Sequence, residues 1–312
     1  MIILGFYRSH DACAALYDDY RCLASVALER VSRVKTDGFR YPAEAVDECL
    51  AQAGLKASDI DVICFPRTSY PGTEIRRPFR RFGGLIADKS VDPIAPLRSG
   101  RVTSLDEVID TEAYCAAKGL PVDAQRYFYN HHAAHALATL AHVPGDDVLL
   151  YTSDGGGDDV YYSARLLKDG RLNDLFGGEA DTLSPSQKPS DSLGKLYAYV
   201  TEALGMKALR HEGKVLGLAA FGKPIHADRL SDLSAVGEDG QIRCGLPRWR
   251  VRHLVNTLAK KTSREDMAAS VQETLERITL EALDNIVARS PASRLGLSGG
   301  VFANVKLTQR IA

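Results

Sequence analysis

The N-terminal part of the chain alternates between short apolar runs and polar breaks, a pattern typical of β-strands. Residues 2–7 (IILGFY) predict a buried strand. Residues 14–19 and 22–29 predict two further strands on either side of the polar turn DDYR. Residues 61–66 (DVICFP) have the unbroken apolar character of another buried strand.

Helical periodicity begins after Pro42 and returns in the second half of the chain. The apolar positions after Pro42 that recur at helical spacing are Ala45, Val46, Cys49, Leu50 and Ala53. Gly54 then supplies a helix stop. The other predicted helices run from Asn130 to about Ala141, over 193–205 and over 266–288. Residues 67–110, rich in Arg, Pro and Gly, predict loops with short elements.

A strand–turn–strand unit occurs twice in the chain. Residues 148–154 (VLLYTSD) predict a buried strand, followed by GGGDD, a strand over 160–167 and a hairpin turn at 168–170. This order repeats the opening of the chain after about 145 residues, so that Asp154 corresponds to His10 and Asp11. We therefore predict an α/β protein of two related halves, over 1–145 and 146–312, with a ligand between them.

The C-terminal residues 294–312 predict a strand, a glycine turn and a helix. That helix reaches Ala312 without a capping residue, so we expect the second half to be truncated at its C-terminal end.

Composition and charge narrow the class of protein. The chain has 312 residues, 25% of them charged, and a net charge of −1, which predicts no general attraction to nucleic acid or membranes. The N-terminus has no basic leader, and the weakly polar stretch 215–222 is too short to span a bilayer. The cysteines form no CxxC pair, so we expect reduced thiols in a cytoplasmic protein. They are Cys13, Cys22, Cys49, Cys64, Cys115 and Cys244.

The segment NHHAAHA at 130–136 has the highest density of candidate metal-binding residues. His131 and His135 are four residues apart, so one helix face can direct two imidazoles at a metal ion, whereas His132 points elsewhere. The alternative is that these histidines are ordinary core or surface residues that bind no metal. Asp154, at the end of a hydrophobic strand, offers a carboxylate of the kind that completes such a site.

Two glycine turns are candidates for phosphate or nucleoside binding. Gly155, Gly156 and Gly157 follow Asp154 and would let backbone N–H groups approach a phosphate. A tight hairpin turn explains the run equally well when it is taken alone, and the nearby histidine pair favours the functional interpretation. Gly299 and Gly300 join a strand to a helix, with Asn304 close behind. Neither turn matches the P-loop or dinucleotide-binding fingerprints.

Several charged residues are candidates for acid–base work or oxyanion binding. His10, beside Asp11 in the first turn, is a candidate general base, and a turn residue bonded to the backbone is the alternative. Arg30, Arg33, Lys35 and Lys214 are candidates for neutralising an oxyanion, although most such side chains simply face solvent.

Together, these motifs resemble those of the O-carbamoyltransferases of antibiotic and nodulation-factor biosynthesis. The N-terminal domain of that family is similar to the metal-dependent transferase that makes threonylcarbamoyladenosine in tRNA. The stretches that carry the resemblance span nearly the whole chain. They are GFYRSHDACAAL (5–16), ALERVSRVKTDGF (27–39), NHHAAHA (130–136), SLGKLYAYVTEALG (192–205), HEGKVLGLAAFGKP (211–224) and LSGGVFAN (297–304).

The resemblance implies an actin-like, sugar-kinase-like fold and a set of site residues. It implies an iron-type divalent metal, Fe²⁺ above all, held by His131, His135 and Asp154. ATP or a carbamoyl-adenylate would touch that metal through phosphate, with Mg²⁺ as a possible further cofactor. The nucleoside would lie near Gly299, Gly300 and Asn304. His10 matches the histidine that deprotonates the acceptor hydroxyl, and the stretch with Arg33 and Lys35 would lie near the carbamoyl group or the acceptor.

Two departures from the family pattern bear on function. Family members follow the RVK stretch with another histidine, whereas this chain has Thr36, so acceptor binding is expected to differ. Relatives are also much longer: a further metal-binding aspartate and a C-terminal domain that activates carbamoyl phosphate with ATP would lie beyond Ala312.

The function expected of the whole protein is carbamoyl transfer from carbamoyl-adenylate to a small-molecule hydroxyl. The activating domain would be supplied in the same chain or by a partner, and a homodimer would fit the family. An actin-like nucleotide-binding module or subunit without transferase activity is the alternative. A sugar-kinase-type phosphotransferase, which needs a catalytic aspartate but no HxxxH pair, is a third class.

Overall fold

A computed structural model of the chain describes residues 1–67, 70–79 and 92–312. Residues 68–69 and 80–91, within the predicted loop region 67–110, lie outside the described residues. The packing divides the chain into two compact units, Met1–His131 and His132–Ala312. In the described residues, no helix is long and apolar enough to cross a membrane.

The first unit is built on a five-stranded sheet in the order β3-β2-β1-β4-β5. Strands β1, β2 and β3 pair antiparallel, whereas β4 and β5 run parallel to β1. Its strands are β1 (Ile2–Tyr7), β2 (Cys13–Asp18), β3 (Arg21–Ala27), β4 (Val62–Pro66) and β5 (Gln125–Tyr129). Its helices are α1 (Leu28–Ser32), α2 (Ala43–Ala53), α3 (Ile94–Arg98) and α4 (Thr111–Lys118).

The second unit is built on a four-stranded sheet in the order β11-β6-β7-β8, with a separate two-stranded ribbon. Its strands are β6 (Asp147–Gly157), β7 (Val160–Lys168), β8 (Arg171–Phe176), β9 (Ser234–Val236), β10 (Ile242–Cys244) and β11 (Arg294–Ser298). Its helices are α5 (His131–Leu140), α6 (Glu179–Leu183), α7 (Leu193–Ala203), α8 (Glu212–Ala219), α9 (Ala227–Ser231), α10 (Arg248–Ala259), α11 (Arg264–Arg289) and α12 (Val305–Ile311). Helix α5 begins at the last residue of the first unit, and the rest of it lies in the second.

The two sheets share one topology, which confirms the predicted duplication. In each, a first strand pairs antiparallel with the second, the second pairs antiparallel with the third, and a later strand joins the other edge of the first in parallel. The fold class is therefore the predicted actin-like one, in which duplicated α/β halves carry mixed sheets with flanking helices. The predicted ranges, 1–145 and 146–312, differ from the observed division by helix α5 and the loop after it.

Each unit has its own apolar core. In the first, the ring of Phe65 packs edge to face against Phe6 and Tyr114, whose own two rings are stacked. In the second, α7 packs on β6, and α11 packs in turn on α7, α8 and α9. Residue Ala136 of α5 packs with Val148 and Leu150 of β6 in a small third cluster, which ties that helix to the second unit's sheet.

The predicted elements are largely confirmed, with differences at their ends. Helix α2 ends at Gly54, whose φ of 67° supplies the left-handed stop. The third strand ends at Ala27, because Leu28 already begins α1. The larger difference concerns the glycine run after Asp154, which belongs to β6. The hairpin turn is made instead by Asp158 and Asp159, with φ of 57° and 60°.

Candidate functional site

Helix α5 and strand β6 bring the three predicted metal ligands together. One ligand atom from each of His131, His135 and Asp154 lies within 4.8 Å of the others, and all three side chains are half-buried. Nε2 of His135 is 3.0 Å from Oδ2 of Asp154. His131 is the first residue of α5, so its position relative to His135 is set by one turn of the same helix.

The geometry and the donor set fit a divalent transition metal. Two ligand atoms that each lie about 2.1 Å from one ion at a right angle are about 3 Å apart, which matches the His135–Asp154 separation. Two imidazoles and one carboxylate on one side of an ion form the donor set typical of non-haem Fe(II), with coordination positions left for substrate. Among the described residues, this is the single group of histidine, cysteine and acidic side chains with such spacing.

The Ser-Gly-Gly turn lies directly against Asp154. Gly300 is so near that a Cβ there would be 3.2 Å from Oδ1 of Asp154. Gly299 has a φ of 96°, and a Cβ there would lie 2.3 Å from the carbonyl oxygen of Ser153. Ser298 also donates its hydroxyl to the carbonyl oxygen of His135 at 2.9 Å. Two motifs that the sequence suggested separately therefore belong to one site.

The start of α7 also contacts this site, which the sequence analysis missed. Ser192 caps α7 by accepting a bond from the Lys195 amide, and its hydroxyl donates to the carbonyl oxygen of Asp154 at 2.9 Å. Gly194 has no room for a side chain, because a Cβ would lie 2.9 Å from the Asp154 backbone. A serine before a helical pattern does signal an N-cap. Nothing local, however, reveals which distant strand it touches.

Local packing explains one glycine of the run after Asp154. Gly156 has a φ of 126°, and a Cβ there would meet the ring of Tyr161 at 2.5 Å. Asp154 accepts a hydrogen bond from the Gly155 amide. The run itself continues β6, so the tight-turn alternative is wrong for it, and phosphate binding by Gly155, Gly156 and Gly157 stays a prediction.

Asn304 is held by other protein groups. Its Oδ1 caps α12 by accepting from the Leu307 amide at 3.0 Å. Its Nδ2 donates to Oε1 of Gln272 at 2.8 Å, and Gln272 in turn donates to the fully buried Glu276. A nucleoside contact by the Asn304 side chain stays a prediction, and the observed bonds give this residue a definite role in fixing the start of α12.

His10 lies in a turn of the first unit that the segment after α1 closes. Its Nδ1 is 2.9 Å from Oδ2 of Asp11. The amide of Phe39 donates to the carbonyl oxygen of Ser9 at 3.0 Å, and the amide of Ala12 donates to the carbonyl oxygen of Asp37 at 2.9 Å. The histidine turn and the RVKTDGF segment, which the sequence named separately, are thus neighbours in space.

Tyr7 lies between two of the predicted functional histidines. Its ring centroid is 6.1 Å from that of His10 and 6.1 Å from that of His131, all within the first unit. The sequence analysis did not single out Tyr7, because an aromatic residue that ends a buried strand looks like core. The structure therefore places the Tyr7 ring beside His10 and His131 in the first unit.

The remaining basic candidates are exposed. Arg33 ends α1 in the left-handed region with a φ of 61°, and Lys35 follows in the segment beside the His10 turn. Arg30 pairs with Glu29, and Lys214 is exposed on α8. Contacts of Arg33, Lys35 and Lys214 with a carbamoyl group or phosphate stay predictions.

Comparison with known proteins agrees with this assembly of residues. The family model described as "Carbamoyltransferase N-terminus" matches residues 2–312. The nodulation protein NolNO of Sinorhizobium fredii is 30% identical over 311 residues, covering 97% of this chain and 42% of that protein. The nodulation protein NolO of Bradyrhizobium diazoefficiens is 30% identical over 192 residues, covering 58% of this chain and 33% of that protein.

One solved structure resembles the whole chain at low identity. The component A of (R)-2-hydroxyglutaryl-CoA dehydratase from Acidaminococcus fermentans is 14% identical, with a TM-score of 0.49, and the match covers 100% of this chain and 87% of that one. The present chain spans about half the length, or less, of the curated relatives it matches. Because the family model covers residues 2–312, the chain belongs to the carbamoyltransferase N-terminus family.

Proposed function

We propose that this chain catalyses the transfer step of an O-carbamoyltransferase, moving a carbamoyl group from carbamoyl-adenylate to a hydroxyl of a small molecule. The observation that carries the proposal is the cluster of His131, His135 and Asp154, which lies against the Gly299–Gly300 turn in a chain of this family. The small-molecule acceptor is part of this proposal and follows from the family resemblance that the sequence motifs carry.

The reaction needs one bond to form and one to break. The acceptor oxygen attacks the carbonyl carbon of carbamoyl-adenylate, the bond from that carbon to the phosphate oxygen breaks, and AMP leaves as an anion. A divalent metal on the three ligands, which we propose to be Fe²⁺, would act as a Lewis acid that polarises the phosphate or carbonyl oxygen. Asp154 and the two histidines would hold and orient that ion.

His10 takes the proton of the acceptor hydroxyl. Its Nδ1 faces the Asp11 carboxylate, so Nδ1–H donates to Oδ2 and leaves Nε2 with the lone pair that a general base requires. Lys35 and Arg33, in the stretch that continues into the segment against the His10 turn, would neutralise the developing oxyanion on the carbamoyl group. Backbone N–H groups of the Gly299–Gly300 turn would bind the nucleotide phosphate.

The activation of carbamoyl phosphate with ATP is assigned to the rest of a longer protein or to a partner. The curated relatives extend well beyond the matched region, since the chain covers 42% of NolNO. We place the whole enzyme in the cytoplasm, because its scattered thiols suit a reducing compartment.

The metal assignment is tested by equilibrium binding of Co²⁺ as a stable substitute for Fe²⁺. We expect wild-type protein to bind one Co²⁺ and the His135→Ala and Asp154→Asn variants to lose at least about tenfold in affinity. His142→Ala is the matched control, because His142 is exposed just after the same helix. Equal affinity in all four proteins would contradict the proposed site.

The base assignment is tested with His10→Ala in the full-length enzyme. We expect carbamoyl transfer to a panel of small sugars and alcohols to fall by a factor of roughly 100 to 10,000, while ATP binding stays within about twofold of wild type. His253→Ala, an exposed histidine on α10, serves as the control. If His10→Ala weakened nucleotide binding as much as transfer, His10 would be a structural residue and the base would have to be sought elsewhere.

The alternative function is a nucleotide-binding subunit that has no transfer activity. It would bind ATP with Mg²⁺ alone and would show no effect of His135→Ala on the bound metal. The Co²⁺ titration therefore separates the two functions.

A further inference from the structure

His132, the middle histidine of the NHHAAHA segment, takes no part in the proposed transfer step but makes its own contacts. Its side chain is completely buried, in contrast to the half-buried His131 and His135 on either side. Nδ1 lies 2.6 Å from the hydroxyl oxygen of Thr152 on β6, and Nε2 lies 2.9 Å from the carbonyl oxygen of Val160 on β7. This one side chain therefore connects α5 to two strands.

His132 belongs to a chain of hydrogen bonds that runs from the carbonyl oxygen of Val160 to the guanidinium of Arg165, and these two end groups set the direction of each bond. The carbonyl oxygen of Val160 only accepts, so Nε2 carries the proton and Nδ1 accepts from the Thr152 hydroxyl. The Thr152 oxygen is 2.6 Å from the Ser163 oxygen, and with its own proton already used it must accept from Ser163. Arg165 in turn donates from Nη1 to the Ser163 oxygen at 2.6 Å.

The network is buried throughout, which makes each of its bonds costly to lose. Thr152 and Ser163 are fully buried, and Arg165 is 3% exposed. Arg165 is balanced by Asp174, whose Oδ1 is 2.7 Å from the arginine Nε. A buried polar network in which every member is satisfied specifies a single arrangement of the elements it joins.

Two neighbouring contacts tie α5 to the same strand. His132 bonds Thr152, and three residues further along the helix His135 bonds Asp154, which is two residues further along the strand. Successive residues on an α-helix point about 100° apart, so any rotation of α5 that breaks the His132 bonds also turns His131 and His135 away from Asp154. The rotation of the helix is thus fixed beside the ligands by a residue that is not a ligand.

We propose that His132 and Thr152 are positioning residues, whose hydrogen bond locks the rotation of α5 so that His131 and His135 face Asp154. The expected effect on metal affinity rests on the proposed metal site. The fixed rotation of α5, by contrast, is a property of the protein without metal. The network therefore holds a metal-binding geometry ready before any ion arrives.

The test compares Thr152→Val, Thr152→Ser and a matched control. Valine has the shape of threonine but no hydroxyl, whereas serine keeps the hydroxyl. Thr201→Val is the control, because Thr201 is equally buried, in α7, and its hydroxyl donates only to the carbonyl oxygen of Tyr197 within the same helix. All variants are made in the 312-residue chain, and thermal unfolding shows which are folded.

Two readouts are measured on the folded variants. The first is the dissociation constant for Co²⁺, for which we expect Thr152→Val to lose about tenfold, with Thr152→Ser and Thr201→Val near wild type. The second uses metal-free protein and long-range ¹H–¹⁵N spectra of the histidine rings. There we expect the His132 ring to be in the Nε2–H form, and the His135 ring signals to move in Thr152→Val but not in Thr201→Val.

The outcomes separate this inference from the proposed function. Unchanged Co²⁺ affinity and unchanged His135 ring signals in folded Thr152→Val would overturn the positioning role while leaving the metal site intact. If wild-type protein bound no Co²⁺, the proposed metal function would fail, and the metal-free spectra would still decide whether Thr152 positions His135. If Thr152→Val did not fold, Thr152→Ser and Ser163→Ala would be compared in the same way.

Discussion

Gly38 shows how a single residue shapes the turn that carries His10. A Cβ at this position would lie 1.9 Å from the carbonyl oxygen of Ser9, far inside van der Waals contact with backbone that cannot move aside. The neighbouring Phe39 amide donates to that same oxygen at 3.0 Å. The close approach of two backbone segments therefore requires glycine and holds the His10 turn in place.

Replacing Gly38 by alanine should displace the His10 turn. We expect Gly38→Ala to lower the free energy of unfolding by about 1–3 kcal/mol, the usual cost of forcing an extra methyl into a packed site, and to reduce carbamoyl transfer further than that loss explains. Urea unfolding and the transfer assay measure the two effects. Gly5→Ala is the control, because nothing lies within 4 Å of a Cβ there. Equal behaviour of the two variants would contradict the close approach.

At the residue scale, local spacing was readable from the sequence and distant partners were not. His131 and His135 lie close together as the spacing predicts, because the distance between them is set by helix geometry alone, while their role as metal ligands stays a prediction. Asn304 was predicted near a nucleoside, yet its partner Gln272 lies 32 residues earlier on α11 and carries no local mark. The buried role of His132 likewise depends on Thr152 and Val160, which only the folded sheet brings near.

Among the elements, α11 and α12 are joined by an unusual buried carboxylate. Glu276 of α11 is completely buried, and its Oε2 accepts from Nη1 of Arg310 on α12 at 2.6 Å. This hydrogen bond is the main cause that raises the pKa of Arg310 above its ordinary value. Because Asn304 at the start of α12 is also bonded to α11 through Gln272, the pair fixes the helix that follows the Gly299–Gly300 turn.

Removing the Arg310 charge should loosen α12. We expect Arg310→Met to lower the free energy of unfolding by about 2 kcal/mol, since a hydrogen bond to a charged group contributes about 1.5–3 kcal/mol and a buried carboxylate is left behind. The double variant Glu276→Gln with Arg310→Met should recover part of that loss, which a double-mutant cycle by urea unfolding measures. Additive losses would show that the two side chains are not coupled.

Elements with clean periodicity were predicted well, whereas elements with mixed patterns were missed. Strands β4 and β6 are buried on both faces over most of their length, and β1 alternates buried with half-buried positions. All three appear in the sequence as apolar runs. Helix α10 (RWRVRHLVNTLA) was overlooked because its arginines mask an apolar face. Its buried positions, Val251, Val255 and Leu258, nevertheless recur at helical spacing, so a count of that period would have found it.

On the scale of the whole molecule, duplication was visible in the sequence because each half opens with the same strand–turn–strand unit. The sheet order confirms it. The exact boundary was not visible, since α5 lies between the two predicted sheets and its apolar face could cover either. The structure packs Ala136 of α5 on Val148 and Leu150, and buries His132 against β6 and β7. These contacts assign the helix to the second unit.

This assignment predicts how hydrogen exchange of the α5 amides responds to a destabilising substitution in each unit. Leu150 on β6 and Ile63 on β4 are both aliphatic and essentially fully buried, so truncating either to alanine should cost about 2–5 kcal/mol. If α5 opens together with the second unit, native-state hydrogen exchange of its amides should accelerate in Leu150→Ala and stay near wild type in Ile63→Ala. The amides of β1 should show the opposite response and so serve as the internal control. Faster exchange of α5 in Ile63→Ala alone would instead place the helix with the first unit, as the boundary predicted at 145/146 requires. It would also separate His135, a proposed metal ligand, from the cooperative unit that carries Asp154.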